Sequence, residues 1–455
     1  MTHALPQLDR LFLTDGGLET DMIYNRGVEL PFFASVMLLR TPEGREALSE
    51  YFRSYLDLAR RLGTGFELVS ASWRASPDWA PQFGLSYEEL DALNRKSIEL
   101  LIELRNEYRD VPTVVSGCIG PRGDGYDPGR VMSAEEARDY HRRQLSTLAC
   151  AGADLITALT MTNIPEAVGI ALAARSLDVP VAISFTVETD GRLPTGDTLD
   201  QAIAAVDKAT GGYPAFYMVN CAHPDHFWGA LFNGDAAILR LRGIRANASR
   251  CSHAELDAMT ELDDGNPEEL GQLYRQIREA LPGISLLGGC CGTDLRHIAA
   301  IADACLKERP ARTPPPDLLS PQPWGDWRRF RMLPTRLAAA AALSLVGSAA
   351  AQTAAPVQTI QLYSHGYNPD PIVLSAGRPV TLTLINRAGK GHDFTAPQFF
   401  RASKIVTGNV SDGEISLRPG QSVSVTLIPA AGRYKVHCGK PFHKMLGMSG
   451  EIVVR

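Results

Sequence analysis

The sequence has no excess of positive charge and no basic patch with interleaved aromatic residues. Its 455 residues include 45 Lys and Arg against 51 Asp and Glu, for a formal net charge of -6. Nucleic-acid-binding domains present a basic surface, so the composition gives no indication of a nucleic-acid partner. A hydrophobic content of 45% and a charged content of 21% are typical of folded protein, and the length allows two or three domains.

A secretion-like segment, about residues 328–352, lacks the roughly 20 apolar residues that comfortably span a bilayer. Its apolar run is Leu337–Val346, with arginines and Met332 before it. Ala349 and Ala351 follow at the small-residue positions that a signal peptidase accepts. This three-part layout is that of a signal peptide. A cleaved signal is therefore favoured over a permanent anchor.

The cysteines do not form the pattern of a disulfide framework. Cys438 is the single cysteine after the secretion-like segment, so it has no partner within its own region and is either a metal ligand or a reactive thiol. Seven cysteines precede the segment, and they suit a reducing cytoplasm, where thiols stay available for metal binding or catalysis. These seven are Cys118, Cys150, Cys221, Cys251, Cys290, Cys291 and Cys305.

Residues 1–308 alternate short apolar β-branched runs with longer amphipathic stretches. The pattern predicts eight strands: Phe12–Thr14, Phe66–Val69, Thr113–Ser116, Leu155–Thr157, Val181–Thr186, Phe216–Asn220, Gly243–Ala246 and Ser285–Leu287. Helices are predicted between them, including Gly44–Leu62, Tyr87–Glu107, Ala134–Ala151 and Pro267–Ala280. Eight such units predict a (β/α)8 TIM barrel, with a doubly wound sheet as the alternative. No G-x-G-x-x-G follows the first strand, which disfavours dinucleotide binding.

The remainder of the chain divides into a linker and a second domain. Residues 309–327 are Pro-rich, which favours an extended linker ahead of segment 328–352. In residues 353–455, short alternating runs separated by Gly and Pro predict a small all-β sandwich. The signal-like segment predicts a cytoplasmic location for residues 1–308 and a periplasmic or extracytoplasmic one for residues 353–455. An uncleaved segment would tether the chain to the membrane.

Two cysteine motifs fall at the ends of predicted barrel strands. Cys221 ends the sixth strand in Val219-Asn220-Cys221, and Cys290 and Cys291 follow the eighth in Gly288-Gly289-Cys290-Cys291-Gly292-Thr293. Active sites of TIM barrels form at this face, and Asp15 follows the neighbouring first strand. Three sulfurs around zinc leave one position open, in which a thiol would be deprotonated. The alternatives are small buried core cysteines and a non-catalytic zinc site.

These motifs, with Thr14-Asp15-Gly16-Gly17 and Gly117-Cys118-Ile119-Gly120-Pro121, resemble the zinc-dependent homocysteine S-methyltransferases over about residues 11–305. The resemblance implies a barrel with zinc on Cys221, Cys290 and Cys291, and Asp15 near the homocysteine amino group. It implies methyl transfer from a small-molecule donor to a thiol such as homocysteine, giving methionine. S-methylmethionine, betaine-like donors and folate-bound methyl groups remain open as donors.

One position departs from the family pattern. Leu159 stands where family members carry a glutamate that helps bind the substrate ammonium. Either another acid substitutes, with Glu188 as the candidate, or the thiol is not homocysteine. We expect the other four cysteines to be structural, and His223, His226 and His297 to be surface or supporting residues.

The second strong motif is Cys438-Gly439-Lys440-Pro441-Phe442-His443 followed by Met448, with His392 upstream in Gly391-His392-Asp393-Phe394. Two imidazoles, one thiolate and a thioether suit copper. The region, about residues 359–455, looks like the cupredoxins. The resemblance implies a Greek-key sandwich with copper on His392, Cys438, His443 and Met448; Met445 is the alternative axial ligand, and His437 is expected on the opposite face.

Electron transfer to a protein redox partner is the default function of the copper region, with copper storage or delivery as the alternative. Three hypotheses concern the whole chain: a gene read-through that joins two separate proteins, a membrane-tethered fusion, and one soluble protein with two metal centres. The first is favoured and the third disfavoured, because an exposed apolar run of this length promotes aggregation or membrane insertion.

Overall fold

The computed structural model describes three stretches of the chain: residues 5–306 except 124, 127, 257–258 and 260; residues 355–438 except 364–365, 370, 388–390 and 412; and residues 449–455. The predicted linker, 309–327, and the signal-like segment, 328–352, lie outside these stretches. Among the residues described, no helix is both long and apolar enough to cross a membrane.

Eight parallel strands close into a barrel in the first region. Their bounds are β1 Phe12–Leu13, β2 Gly65–Val69, β3 Thr113–Ile119, β4 Leu155–Met161, β5 Val181–Phe185, β6 Phe216–Asn220, β7 Leu241–Ala246 and β8 Leu286–Gly289. The pairing of Phe12 with Leu286 joins β1 to β8 and completes the ring. The predicted (β/α)8 barrel is therefore confirmed, and the doubly wound alternative is wrong.

The barrel strands are buried along their whole length, as in β2 and β4, where every residue is buried. Parallel strands covered on both faces take this form. β3 and β4 extend to Ile119 and Met161, past the β-branched runs that predicted them. The additional residues are those that approach the carboxyl-end face of the barrel.

Helices surround the barrel, and local sequence signals fix their ends. Thr41 accepts a hydrogen bond from the backbone N–H of Gly44, and Ser86 with Glu89 forms a capping box. The helices are α1 Leu18–Thr20, α2 Pro42–Leu62, α3 Trp79–Gln82, α4 Tyr87–Glu107, α5 Ala134–Cys150, α6 Ile164–Ser176, α7 Leu199–Thr210, α8 Pro224–Asn233, α9 His253–Leu256, α10 Pro267–Ala280 and α11 Leu295–Leu306. Short 3-10 or π turns are Pro6–Leu8, Asp21–Asn25, Pro31–Phe33, Ser35–Arg40 and Ala236–Arg240.

The second region has two five-stranded sheets, of order β10-β9-β12-β16-β14 and β11-β18-β17-β13-β15. Their strands are β9 Val357–Tyr363, β10 Gly366–Asn368, β11 Ile372–Leu374, β12 Val380–Asn386, β13 His392–Thr395, β14 Lys404–Thr407, β15 Glu414–Leu417, β16 Ser422–Ile428, β17 Gly432–His437 and β18 Ser449–Val454, with helix α12 at Pro397–Ala402. Buried and half-buried residues alternate along β12, so one face of each sheet supplies the core. The predicted sandwich is confirmed.

Candidate metal centres and the barrel cleft

A cleft opens at the carboxyl ends of the barrel strands. Its described lining includes Asp15 after β1, Thr160 at the end of β4, Cys221 after β6, Arg245 in β7, and the Cys290–Gly292 loop after β8. These residues are far apart in sequence and meet because the strands run parallel around a closed ring. This is the face at which TIM barrels build active sites.

Three cysteine sulfurs converge in the cleft. The Sγ atoms of Cys221, Cys290 and Cys291 all lie within 4.8 Å of one another. The structure joins Cys221 to Cys290 as a disulfide, which differs from the expectation that all seven cysteines of this region stay reduced. A disulfide is the oxidised alternative to metal binding, since only thiolates ligate zinc. Once reduced, three soft donors this close fit a zinc ion with one open position.

Two residues at the edge of the sulfur cluster have left-handed backbone conformations. Cys221 has φ 55° and Thr160 has φ 64°. Such a conformation is uncommon outside glycine and unfavourable for a β-branched residue, and strain of this kind concentrates at functional sites. The turn at Cys221 is held by His253, whose Nε2 lies 2.6 Å from the Cys221 carbonyl oxygen.

Polar side chains approach the sulfurs from β4 and β6. Asn220 Nδ2 lies 3.9 Å from Cys290 Sγ, and Thr160 Oγ1 lies 3.9 Å from Cys221 Sγ. Asn220 Oδ1 accepts hydrogen bonds from the Thr160 N–H at 2.8 Å and from Ser184 Oγ at 2.6 Å, so its amide is fixed. The sequence motif contained Asn220, but Thr160 and Ser184 were missed because only the barrel brings them beside it.

Tyr126 approaches the third sulfur from the loop after β3. Its hydroxyl lies 3.7 Å from Cys291 Sγ, and its ring stacks on His253 with centroids 3.9 Å apart. Sequence analysis missed this residue. A donor to each sulfur favours the thiolate form that a metal requires.

Asp15 lies in the cleft, as predicted, but its carboxylate is in a buried ion pair. Arg245 Nη2 lies 2.9 Å from Asp15 Oδ1, and both side chains are at most 7% exposed. Thr14 Oγ1 donates to Oδ1 at 2.8 Å and Tyr51 Oη donates to Oδ2 at 3.1 Å. Arg245, which reaches Asp15 from β7, was not predicted from the sequence.

Glu188, the predicted replacement acid, lies beside His253. Glu188 is not among the described residues lining the cleft; its carboxylate lies 3.4 Å from His253 Nδ1. Leu159 does line the cleft, in an apolar cluster with Val69 and Cys118. The described acids that line the cleft are Asp15, Glu19, Glu261 and Asp263. Glu19 accepts a hydrogen bond from Ser35 Oγ at 2.6 Å. Burial raises the pKa of Glu19.

Two of the predicted copper ligands lie on neighbouring strands of one sheet. His392 begins β13, Cys438 follows β17, and the two residues are 1% and 0% exposed. The Asp393 N–H donates to Cys438 Sγ at 3.2 Å, which places the thiol beside the histidine strand. A buried thiol and imidazole on adjacent strands fit part of a copper ligand set.

The other predicted copper ligands, His443 and Met448, and the alternative Met445, lie outside the described residues. His437 is half-buried while Val436 and Cys438 are buried. The alternation along β17 therefore places His437 on the face opposite Cys438.

Residues 12–305, well over half of the chain, match the family model for homocysteine S-methyltransferase. The chain belongs to this family. Homocysteine S-methyltransferase of Escherichia coli K12 is 29% identical over 66% of this chain and 96% of its own length. Selenocysteine Se-methyltransferase of Brassica oleracea is 25% identical over 68% and 93%. The solved oxidised form of the Escherichia coli homocysteine methyltransferase MmuM superposes with a TM-score of 0.54 at 25% identity, covering 66% of this chain and 98% of that one.

Residues 336–454 match the model for a cupredoxin-like domain. The chain thus combines a methyltransferase barrel with a cupredoxin-like region. The first match covers the predicted methyltransferase region almost residue for residue, and the second begins inside the predicted signal-like segment.

His223, His226 and His297 are not among the described residues that line the cleft. His223 accepts a hydrogen bond from the Asp225 N–H at the start of α8, and burial lowers its pKa to about 4. His297 lies between Asp294 Oδ1 and the Asp264 carbonyl oxygen. Both are buried, so a surface position is wrong for them, whereas His226 is half-buried.

The four cysteines expected to be structural occupy different environments. Cys118 lines the methyltransferase cleft, where burial raises its pKa well above the usual range. Burial raises the pKa of Cys305 to about 11. Cys150 is exposed and Cys251 half-buried, and neither lies within the three-sulfur cluster.

Proposed function

We propose that the barrel is a zinc-dependent S-methyltransferase that transfers a methyl group from a small-molecule donor to a thiol. The convergence of the Cys221, Cys290 and Cys291 sulfurs within 4.8 Å at the carboxyl-end face supports it. When bound there, zinc would supply the positive charge that keeps an incoming thiol deprotonated. The names of the relatives make homocysteine, giving methionine, the first acceptor to test.

The chain's own residues account for the remaining requirements. Asn220, Thr160 and Tyr126 direct polar hydrogens at the ligand sulfurs. The apolar wall of Val69, Leu159 and neighbouring residues excludes water from the sulfur that reacts. With a sulfonium or quaternary ammonium donor, the acceptor thiolate forms a bond to the methyl carbon while the bond from that carbon to the onium atom breaks. The bonding pair leaves with the donor, which becomes neutral, and the thiol proton is released to solvent.

The test uses the full chain, reduced and loaded with zinc. We expect one zinc per chain and methylation of a thiol by S-methylmethionine or a betaine-like donor. Chelation should abolish the turnover, and zinc should restore it. Stoichiometric zinc without methylation of any thiol by any of the three donor classes would favour the competing hypothesis, a non-catalytic zinc site.

We propose that residues 353–455 bind copper through His392, Cys438, His443 and Met448 and carry single electrons to a protein redox partner. The buried adjacent positions of His392 and Cys438 support the first two ligands. Addition of Cu(II) should give an intense visible absorption that ascorbate removes and oxidation restores. A site that loses copper on each reduction would instead favour copper storage or delivery.

For the whole chain we propose that residues 1–308 and 353–455 work on opposite sides of a membrane, separated by linker 309–327 and the signal-like segment 328–352. Gene read-through of two separate proteins is the favoured origin, and a membrane-tethered fusion is the alternative. Intact masses from native-cell compartments test this. An exported polypeptide beginning near Gln352 is expected, whereas a single 49.3 kDa membrane-bound species would support the fusion.

A further inference from the structure

A segment of the connection between β7 and α10, residues 261–263, lies against the loop that carries two of the predicted zinc ligands. The segment lines the methyltransferase cleft together with Cys290 and Cys291. A Cβ atom at Gly292 would lie 2.7 Å from the Asp263 carbonyl oxygen, and glycine at this position, with φ 79°, permits the close approach. The side chains of segment 261–263 therefore belong to the part of the cleft that contains the sulfur cluster.

The carboxylate of Asp263 holds its own loop. Oδ2 accepts a hydrogen bond from Ser249 Oγ at 2.5 Å, and Oδ1 accepts one from the Gly265 N–H at 3.1 Å. Asp263 thus joins residues before and after it into one turn, as aspartate side chains in loops commonly do. This turn fixes the position of segment 261–263, so we assign Asp263 to the structure of the loop.

Two further acids of the cleft are engaged by neighbouring side chains. Arg245 Nη2 lies 2.9 Å from Asp15 Oδ1, and Tyr51 Oη donates to Asp15 Oδ2 at 3.1 Å. Glu19 accepts a hydrogen bond from Ser35 Oγ, and burial raises its pKa, which favours its neutral form. The guanidinium therefore offsets the charge of Asp15, and burial disfavours a charge on Glu19.

Glu261 is in a different situation from these three acids. It lines the cleft, its side chain is exposed, and among the described residues no hydrogen bond or ion pair engages its carboxylate. Contact with water favours the charged form of a carboxyl group. Glu261 can therefore pair with a cation that enters the cleft without giving up an existing bond.

We propose that Glu261 binds the ammonium group of an amino-acid thiol whose sulfur occupies the open position at the cysteine cluster. In homocysteine only three carbon atoms separate the sulfur from the nitrogen, so the ammonium must lie close to the cluster, in the part of the cleft that segment 261–263 lines. The bound thiol displaces water from the cleft, which strengthens the ion pair. The inference rests on the proposed zinc-thiol function and names a residue that selects the acceptor.

The test compares homocysteine with 4-mercaptobutyrate, which is homocysteine without its amino group. Isothermal titration of the reduced, zinc-loaded full chain measures the dissociation constant of each thiol without a methyl donor. Glu261→Gln should weaken homocysteine binding about 5–10-fold and leave 4-mercaptobutyrate binding unchanged. Glu261→Asp keeps the charge and should retain part of the homocysteine affinity.

Two results would overturn the inference and leave the proposed function intact: unchanged homocysteine binding in Glu261→Gln, or equal weakening of both thiols, which would indicate a structural role. If neither thiol binds to the wild-type chain, the proposed function is wrong and the inference falls with it.

The matched control is Glu255→Gln. Glu255 belongs to the same connection between β7 and α10 and is also exposed, but it accepts hydrogen bonds from Ser252 and is not among the described residues that line the cleft. Its substitution should leave both dissociation constants unchanged. Asp257, which lies outside the described residues, is tested in the same way. If Asp257→Asn weakened homocysteine binding selectively and Glu261→Gln did not, the assignment to Glu261 would be wrong.

Discussion

The barrel and the sandwich bring their predicted metal ligands together in different ways. In the barrel, Cys221 and Cys290 follow β6 and β8, which do not pair with each other but are separated by β7. In the sandwich, His392 begins β13 and Cys438 follows β17, and these two strands pair directly. The first site depends on closure of a ring of eight strands, and the second on the register of two neighbours.

The two regions also differ in what surrounds the sulfur. Side chains of Asn220 and Thr160 approach the barrel sulfurs, whereas a backbone N–H, that of Asp393, donates to Cys438. Many single substitutions remove a side-chain donor, but only proline removes a backbone N–H. The barrel site is therefore the more sensitive of the two to substitutions around its ligands.

The largest expected effect comes from the barrel ligands. Cys290→Ala, or Cys221→Ala, should remove stoichiometric zinc and abolish methyl transfer, because two sulfurs hold zinc much less tightly than three. Metal analysis and a methyl-transfer assay measure the two losses. Cys150→Ala, at an exposed cysteine outside the cluster, is the control and should retain both. Full zinc content in Cys290→Ala would show that the ligand assignment is wrong.

Cys438→Ser tests the predicted copper site of the sandwich. It should remove the intense visible absorption of the copper-loaded chain, since that absorption requires a thiolate on copper. Zinc content should not change, because the serine lies outside the barrel. The visible spectrum and the zinc content are measured on the same sample; a wild type without an intense band would contradict the copper proposal at once.

Asn220→Ala tests whether the barrel depends on its side-chain donors. It leaves the buried Thr160 N–H and Ser184 hydroxyl without their acceptor, so the barrel should lose about 1–3 kcal/mol of unfolding free energy. Zinc affinity should fall about 10–100-fold. Urea denaturation followed by tryptophan fluorescence reports the barrel and not the sandwich, since Trp73, Trp79 and Trp228 lie in the barrel and the other two tryptophans lie in the predicted linker.

Asn386→Ala is the matched control in the sandwich. Asn386 is also buried and donates to the carbonyls of Leu417 and Arg418. Its loss should leave both zinc affinity and the fluorescence transition unchanged. If Asn220→Ala and Asn386→Ala lowered the zinc affinity equally, Asn220 would act only through the general stability of the protein.

The smallest effect concerns the turn after Cys221, where the folded-state pKa of His223 is about 4 against an ordinary 6.5. Protonation favours the unfolded state, so the barrel should lose stability as the pH falls from about 6.5 towards 4. Asp225 beside the ring is half-exposed, so solvent screens part of the effect. We expect a loss of about 1–2 kcal/mol of unfolding free energy. His223→Asn keeps a helix-capping side chain and should reduce this part of the pH dependence.

The measurement is urea denaturation at pH 7 and pH 5, again by tryptophan fluorescence. His226→Asn is the control, since its ring contacts the Arg250 carbonyl outside the cap. If His223→Asn left the pH dependence of the unfolding free energy unchanged, His223 would not be the group that causes it.

Much of the fold was predictable because its signals are local. β-branched runs placed all eight barrel strands, and the amphipathic pattern placed helix α4 to the residue. The cysteine motifs stood out because two adjacent cysteines between glycines are rare and lie at a strand end. The predicted strands ended early at β3 and β4 because Gly117 and Ala158 do not continue the β-branched pattern.

The side-chain partners at the cleft were not predictable from local pattern. Arg245 lies in a predicted strand, where a single polar residue gives no direction, and it reaches Asp15 from 230 positions away only because β7, β8 and β1 are neighbours in the ring. Glu188 was the predicted replacement acid. The barrel places it against His253 instead and brings Glu19 into the cleft.

The sequence by itself determined the two kinds of domain, the strand and helix positions and the residues that carry sulfur, because these depend on residue type and on periodicity over a few positions. Only the tertiary structure decided that Asp15 is neutralised by Arg245, that Asn220 and Thr160 point at the sulfurs, and that His392 lies beside Cys438. Those relations depend on strand closure and register, which set the contacts between distant residues and are invisible in any short stretch of the chain.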